Sequence, residues 1–426
     1  MTNARPPARA SARSSVLVLG AGMVGTCTAI HLALRGHAVV LADRRAPGEE
    51  TSYGNAGLIQ QEAVEPYAFP RDAGKLLRVA FKRGIDVNYH AAAMPRLAGP
   101  LARYWQASGP AHYPAIAQAY ARLIAHATPE HAPLIAAAGA EDLVLRTGYR
   151  WVFRTAATMD EALARAERLR GAYGVQHTAL DAGALAAAEP ALKARLVGAI
   201  HWPQPWAVRD PGALVARYAA HFTQLGGRIV QADAGSLRQN GNGAGWSLQT
   251  ADGPLDAEHA VVALGPWADN LLRPLGYRLP LFVKRGYHRH YTGGPVPSMP
   301  WLDADRGLVV APMQRGVRVT TGAEFAPRDA AATPWQMAGA EAAARELLDL
   351  PQPVEATPWR GARPCTADML PVVGAAPRHR GLWFNFGHAH QGFTLGPASG
   401  RLLAELIDGV APLVDPAPYA PARFGA

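Results

Sequence analysis

Residues 16–43, VLVLGAGMVGTCTAIHLALRGHAVVLAD, decide how the chain is read. Val16 to Leu19 form a continuous apolar run, the pattern of a central parallel strand buried on both faces. Gly20, Gly22 and Gly25 follow in the spacing G-x-G-x-x-G, with Met23 and Val24 between the last two. That spacing supplies a tight turn, a close backbone approach for a pyrophosphate, and close contact between helix and strand. Ile30, Leu32, Ala33 and Leu34 then mark a helix whose N–H-rich start would face the phosphates. Gly36 ends it, Ala38 to Ala42 read as the second strand, and Asp43 stands where a carboxylate accepts the two ribose hydroxyls. Together these features predict a dinucleotide-binding unit.

At 426 residues the chain is long enough for two domains, and no apolar run approaches the roughly 20 residues of a membrane-spanning helix. Residues 1–14 are basic and rich in small residues, which predicts a disordered tail and not a signal peptide. Cys27 and Cys365 have no metal or disulfide spacing, and a cytoplasmic setting follows as the expectation. The formal charge of +9 comes from 38 Arg and four Lys spread along the chain. Without a block of basic and aromatic residues it predicts no nucleic-acid partner, while peripheral contact with an anionic membrane face stays open.

Further along, Thr51 to Gly57 is a loop of small and polar residues suited to close approach by a phosphate or ring system. Residues 91–140 read as surface helices cut by Pro110, Pro114, Pro129 and Pro133, with no chemistry of their own. Trp202 and Trp206 flank a strand and turn, as packing residues or as a pocket wall. Trp246 to Thr250 and His259 to Leu264 read as a hairpin-like excursion returning to the sheet. Gly265, Pro266 and Trp267 then make a second strand-to-helix turn, expected where a cofactor crosses a sheet. Lys284, Arg285, Tyr287, His288, Arg289, His290 and Tyr291 crowd one strand, and alternation predicts half of them inward and half solvated. Near the end, a turn at Gly387, His388 and Gly392 precedes a helix, whose start would stabilise a ring that becomes anionic on reduction.

Three segments, VLVLGAGMVG with Asp43, ETSYGNAG, and RPCTADMLPVVG followed by FGHAHQGFTLGPASGRLLAELI, together resemble the FAD-dependent D-amino-acid dehydrogenase branch of the glycine oxidase and D-amino-acid oxidase superfamily. The resemblance implies an α/β fold: a Rossmann-like, doubly wound FAD-binding domain (15–85, 209–275 and 355–426) and a mixed-sheet α+β substrate domain (86–208 and 276–354). It implies FAD contacts at Gly20, Gly22, Met23, Val24, Gly25, Asp43 and Arg44, then at Ser52, Asn55, Ala56 and Gly57. Gly265 and Trp267, and Gly387, Gly392, Phe393 and Thr394, complete the set. Arg363 matches an arginine that reaches a substrate carboxylate in relatives, the alternative being an ion pair with Asp368. His388 and His390 are the candidate bases, and Tyr287 and His288 candidate substrate contacts. Relatives that link FAD covalently place His or Cys where this chain has Gly54 and no matching Cys, so non-covalent FAD is expected.

The implied reaction is oxidation of a small D-amino acid or cyclic imino acid, of the proline or hydroxyproline kind, with hydride leaving to the flavin and a quinone or the respiratory chain taking the electrons. An oxygen-using oxidase of amino acids or N-methyl amines is the alternative. An RNA-modifying flavoenzyme and a non-catalytic dinucleotide-binding protein are further ones.

Overall fold

A computed structural model describes residues 13–241 and 243–425. The elements that build the site are, in chain order, β1 (Ser15–Leu19), α1 (Met23–Leu34), β2 (Ala38–Asp43), α2 (Met94–Ala107) and α3 (Ala127–Ala137). They continue with β3 (Arg228–Gln231), β4 (His259–Val262), β5 (Phe282–Thr292), α4 (Pro334–Leu347), β6 (Trp359–Cys365), β7 (Val372–Ala375), β8 (Leu382–Phe386) and α5 (Gly392–Asp408). Of the expected tail, all but Arg13 and Ser14 lies outside the described residues.

The first sheet has six strands in the order β3-β2-β1-β4-β8-β7, parallel throughout except for the β7–β8 pair. The apolar run of β1 lies at its centre, with Val18 and Leu19 fully buried, because strands fed by helical crossovers are covered on both faces. α1 is buried nearly all round, since α5 and the helix Pro211–Gln224 pack against it. Gly36, at φ +86°, turns the chain from α1 into β2.

The second sheet has eleven strands, centred for function on β5. β5 pairs antiparallel with β6 on one side and with Gly316–Thr320 and Ala323–Phe325 on the other. Here the expected alternation fails. Lys284, Arg285, Tyr287, His288, His290 and Tyr291 are all buried. The reason is that both faces of β5 are covered: Tyr287 and Tyr291 pack with Met337, Ala340 and Leu347 of α4, while Lys284 and Gly286 line a cavity on the other face.

Other local expectations also shift. The hairpin partner of Trp246–Thr250 is Gly253–Ala257, and His259–Val262 is β4 of the first sheet. Pro129 and Pro133 do not cut α3: Pro129 lies in its first turn, where no N–H donor is required, and Pro133 sits inside it. The helices of 91–140 are not merely superficial, for Tyr120, Leu123, Ile124 and Ile135 are core residues. Trp202 packs edge-on against Trp151, and Arg146 lies 4.5 Å over the Trp206 ring, so both tryptophans act in packing.

Candidate active site

Between the two sheets runs a cavity of about 830 Å³ that joins the β1–α1 turn to the start of α5. Gly20, at φ +106°, opens it; a Cβ there would lie 2.5 Å from the Ala263 carbonyl oxygen. A Cβ on Gly25 would lie 1.7 Å from the Gly20 carbonyl oxygen, so helix and turn meet through bare backbone. Gly22, Met23 and Val24 line the cavity, and the Met23 N–H donates to Ser52 Oγ at 3.0 Å, joining the loop to the helix start. Asp43 also lines it and accepts from the Ala21 N–H at 2.7 Å, a bond that fixes the carboxylate against the turn.

Asn55, Ala56 and Arg44 continue the wall, and Asn55 Oδ1 accepts from the N–H groups of Gly57 and Leu58 at 2.8 and 3.0 Å. Gly57 stands behind the wall at φ +71°, where a Cβ would meet the Val208 carbonyl oxygen at 2.4 Å. The second glycine turn forms as expected: Gly265 has φ +51°, and Trp267 lies under the Arg44 guanidinium at 4.6 Å. Gly54 is bare because the Trp359 indole occupies its side-chain space, 1.8 Å from where a Cβ would be.

At the far end, Gly387, His388, His390, Gly392 and Phe393 line the cavity. Gly387 has φ +80°, and α5 begins directly after Gln391, aiming N–H groups that lack an intrahelical acceptor at this end. Thr394 lies behind, where its Oγ1 accepts from the Gln60 N–H at 3.1 Å. His131 of α3 bridges the Tyr218 hydroxyl and the Phe393 carbonyl oxygen, each at 3.0 Å, tying α3 to the start of α5. His388 Nε2 lies 2.9 Å from Ser399 Oγ, and burial pushes its pKa down to about 3. His390 rests 4.8 Å from the Tyr67 ring, and burial, followed by the Arg363 and Lys284 charges, pushes it well below the ordinary range.

Arg363 of β6 lines the cavity and donates only to backbone carbonyls, those of Arg285 at 3.3 Å and Gly322 at 3.2 Å. The alternative pairing with Asp368 does not form, because Asp368 pairs with Arg423 at 2.8 Å. Tyr287 contributes to the wall, yet its hydroxyl donates to Glu324 at 2.7 Å and accepts from the Thr333 N–H at 3.0 Å. His288 is not among the lining residues; it stacks on Trp359 with ring centroids 4.8 Å apart. Arg285 faces Glu324 in a fully buried pair at 2.6 Å. Sequence reasoning missed Tyr104 of α2, which lines the cavity and accepts from Lys284 Nζ at 3.1 Å. No motif marks it, since only packing brings α2 to β5. Among the described residues no cluster of His, Cys, Asp and Glu could hold a metal ion.

The cradle fits FAD. Two glycines whose side-chain space is backbone, an acid at the end of β2, and a helix start at the far end of one continuous cavity suit a pyrophosphate, a ribose and a ring that takes up charge. The family model described as FAD dependent oxidoreductase matches residues 15–406. D-amino-acid oxidase of Bradyrhizobium diazoefficiens is 33% identical over 425 residues, covering 96% of this chain and 98% of that protein. D-amino acid dehydrogenase of Chromohalobacter salexigens is 29% identical over 420 residues, covering 96% and 100%. Glycine oxidase from Geobacillus kaustophilus has a similar structure, with a TM-score of 0.70 at 23% identity over 96% of this chain and 98% of that one. By sequence over nearly its whole length, the chain belongs to the DAO family of FAD-dependent oxidoreductases.

Proposed function

We propose that the protein oxidises the Cα–N bond of a small D-amino acid or cyclic imino acid, of the proline or hydroxyproline kind, to an imine. The observation that carries this reading is Arg363, a guanidinium facing the cavity with only carbonyl oxygens as partners, as a substrate carboxylate requires. FAD, when bound, supplies the acceptor for the hydride. Arg363 holds the carboxylate, and the start of α5 offers N–H groups toward developing negative charge. His388 and His390, kept neutral by burial, wall the substrate without adding charge. Tyr287 and His288 support the wall from behind.

Relatives named as amino acid oxidase and dehydrogenase support the substrate class. The electrons are assigned to a quinone-type acceptor, reached by peripheral contact with the inner membrane face; no helix among the described residues is long and apolar enough to cross a membrane. Residues 15–85, 209–275 and 355–426 are assigned to cofactor binding and 86–208 and 276–354 to substrate binding, with FAD held non-covalently.

Anaerobic bleaching of the bound flavin by a panel of D- and L-amino acids, with proline and hydroxyproline isomers, tests the reading. Bleaching by a D-amino or cyclic imino acid is expected. Arg363→Ala should keep its flavin and raise the half-saturating concentration roughly 10- to 100-fold. An unchanged concentration reassigns Arg363 to structure. Parallel assays with oxygen and an artificial quinone decide the acceptor.

A further inference from the structure

Lys284 and Arg363 are directly opposite each other in the antiparallel pairing of β5 and β6. Their side chains therefore leave the same face of the sheet, and both line the cavity. Like charges directly opposite are destabilising, and burial raises that cost. Lys284 is 4% exposed, and among the described residues neither cation forms an ion pair with a carboxylate. Burial and the neighbouring Arg363 charge lower the lysine's pKa.

The two charged heads part company. The Arg363 fork lies over Gly286, where a Cβ would sit 2.7 Å from Nη1, so the bare glycine makes room for it. The Lys284 ammonium donates to the Tyr104 hydroxyl and lies 4.5 Å from the Tyr104 ring centroid, with the rings of Phe325 at 5.6 Å and Phe282 at 5.8 Å. Ring faces stabilise a cation without neutralising it. A ligand with one carboxylate satisfies Arg363 and leaves the second buried charge uncompensated. An amino acid with two carboxylates, bound with its amine neutral, carries two negative charges and compensates both.

From this juxtaposition we infer that Lys284 forms a second anion subsite, and that the substrate is an acidic D-amino acid whose side-chain carboxylate meets Lys284 while Arg363 takes the α-carboxylate. The inference rests on the amino-acid reading above and narrows its substrate class.

The test uses the flavin-loaded enzyme and its Lys284→Met and Lys284→Gln variants. Anaerobic bleaching is compared between D-glutamate and D-glutamine and between D-aspartate and D-asparagine, pairs that differ in charge and hardly in shape. In the native enzyme the acids should be favoured at least roughly 10-fold in kcat/KM, and either variant should bring that ratio near one. Amides that equal the acids in the native enzyme overturn the inference, as does a ratio that survives in both variants. Should no amino acid bleach the flavin, the amino-acid reading fails, and the subsite is judged by binding alone. Glutarate and butyrate are then titrated against the flavin absorbance. Tighter binding of glutarate that is lost in both variants upholds the subsite, and equal binding overturns it.

Discussion

At Gly22 the backbone closes on the cavity with no side chain, and only the Ser52 hydroxyl, at 3.3 Å from where a Cβ would be, borders the space. A branched side chain there would project into the path of a pyrophosphate without disturbing the core. Gly22→Val should yield folded protein with flavin content cut to about a tenth or less, measured by visible absorbance against unchanged far-ultraviolet circular dichroism. Normal flavin content in that variant would move the pyrophosphate elsewhere. This glycine and Asp43 were legible from spacing, since both act within one strand-turn-helix unit. Tyr104 and the Lys284–Arg363 opposition were not, because each depends on the register or packing of segments far apart in the chain.

Among the elements, α1 and α5 make the closest helix contact, and small residues allow it. A Cβ on Gly396 would lie 2.6 Å from Met23 Cγ, and one on Gly400 would lie 2.8 Å from the Thr28 backbone nitrogen. This approach holds the start of α5 against the start of α1, so both cofactor-facing helix ends move together. Gly400→Val should overpack the contact, lowering stability by about 1–3 kcal/mol and speeding flavin release on mild heating. Urea denaturation and a flavin-release assay check both effects; an unchanged variant would show the contact to be looser than described. The crowded strand β5 teaches the opposite lesson about legibility. Its polar residues look half solvated in sequence, but α4 on one face and the cavity on the other bury nearly all of them.

Across the whole molecule, burial keeps several histidines neutral. Desolvation lowers His31 to about 3, His131 to about 4 and His388 to about 3, each far below its value in an unfolded chain. Between pH 6.5 and 4 the unfolded chain therefore binds more protons at these sites than the fold does. Their stabilising contribution is complete above pH 6.5 and shrinks as pH falls, by about 1.4 kcal/mol per pH unit for each histidine. Glu62 acts the other way: burial raises it to about 7, so it favours the fold while protonated, an effect lost as pH rises from about 4.5 to 7. Three groups outweigh one, and the urea midpoint should drop clearly between pH 6.5 and pH 5. A flat midpoint over that range would mean the histidines are not held neutral.

The sequence by itself determined the cofactor half of this protein. Strand, glycine turn, helix and acid are contiguous, so their spacing specifies geometry directly, and the helix of residues 392–408 with its preceding turn is likewise local. Tertiary structure alone decided which cations are left without anions. Arg363 lost Asp368 to Arg423, Arg285 gained Glu324, and Lys284 came to lie opposite Arg363. Partner choice among charges far apart in sequence depends on strand register and burial, and no local pattern encodes either.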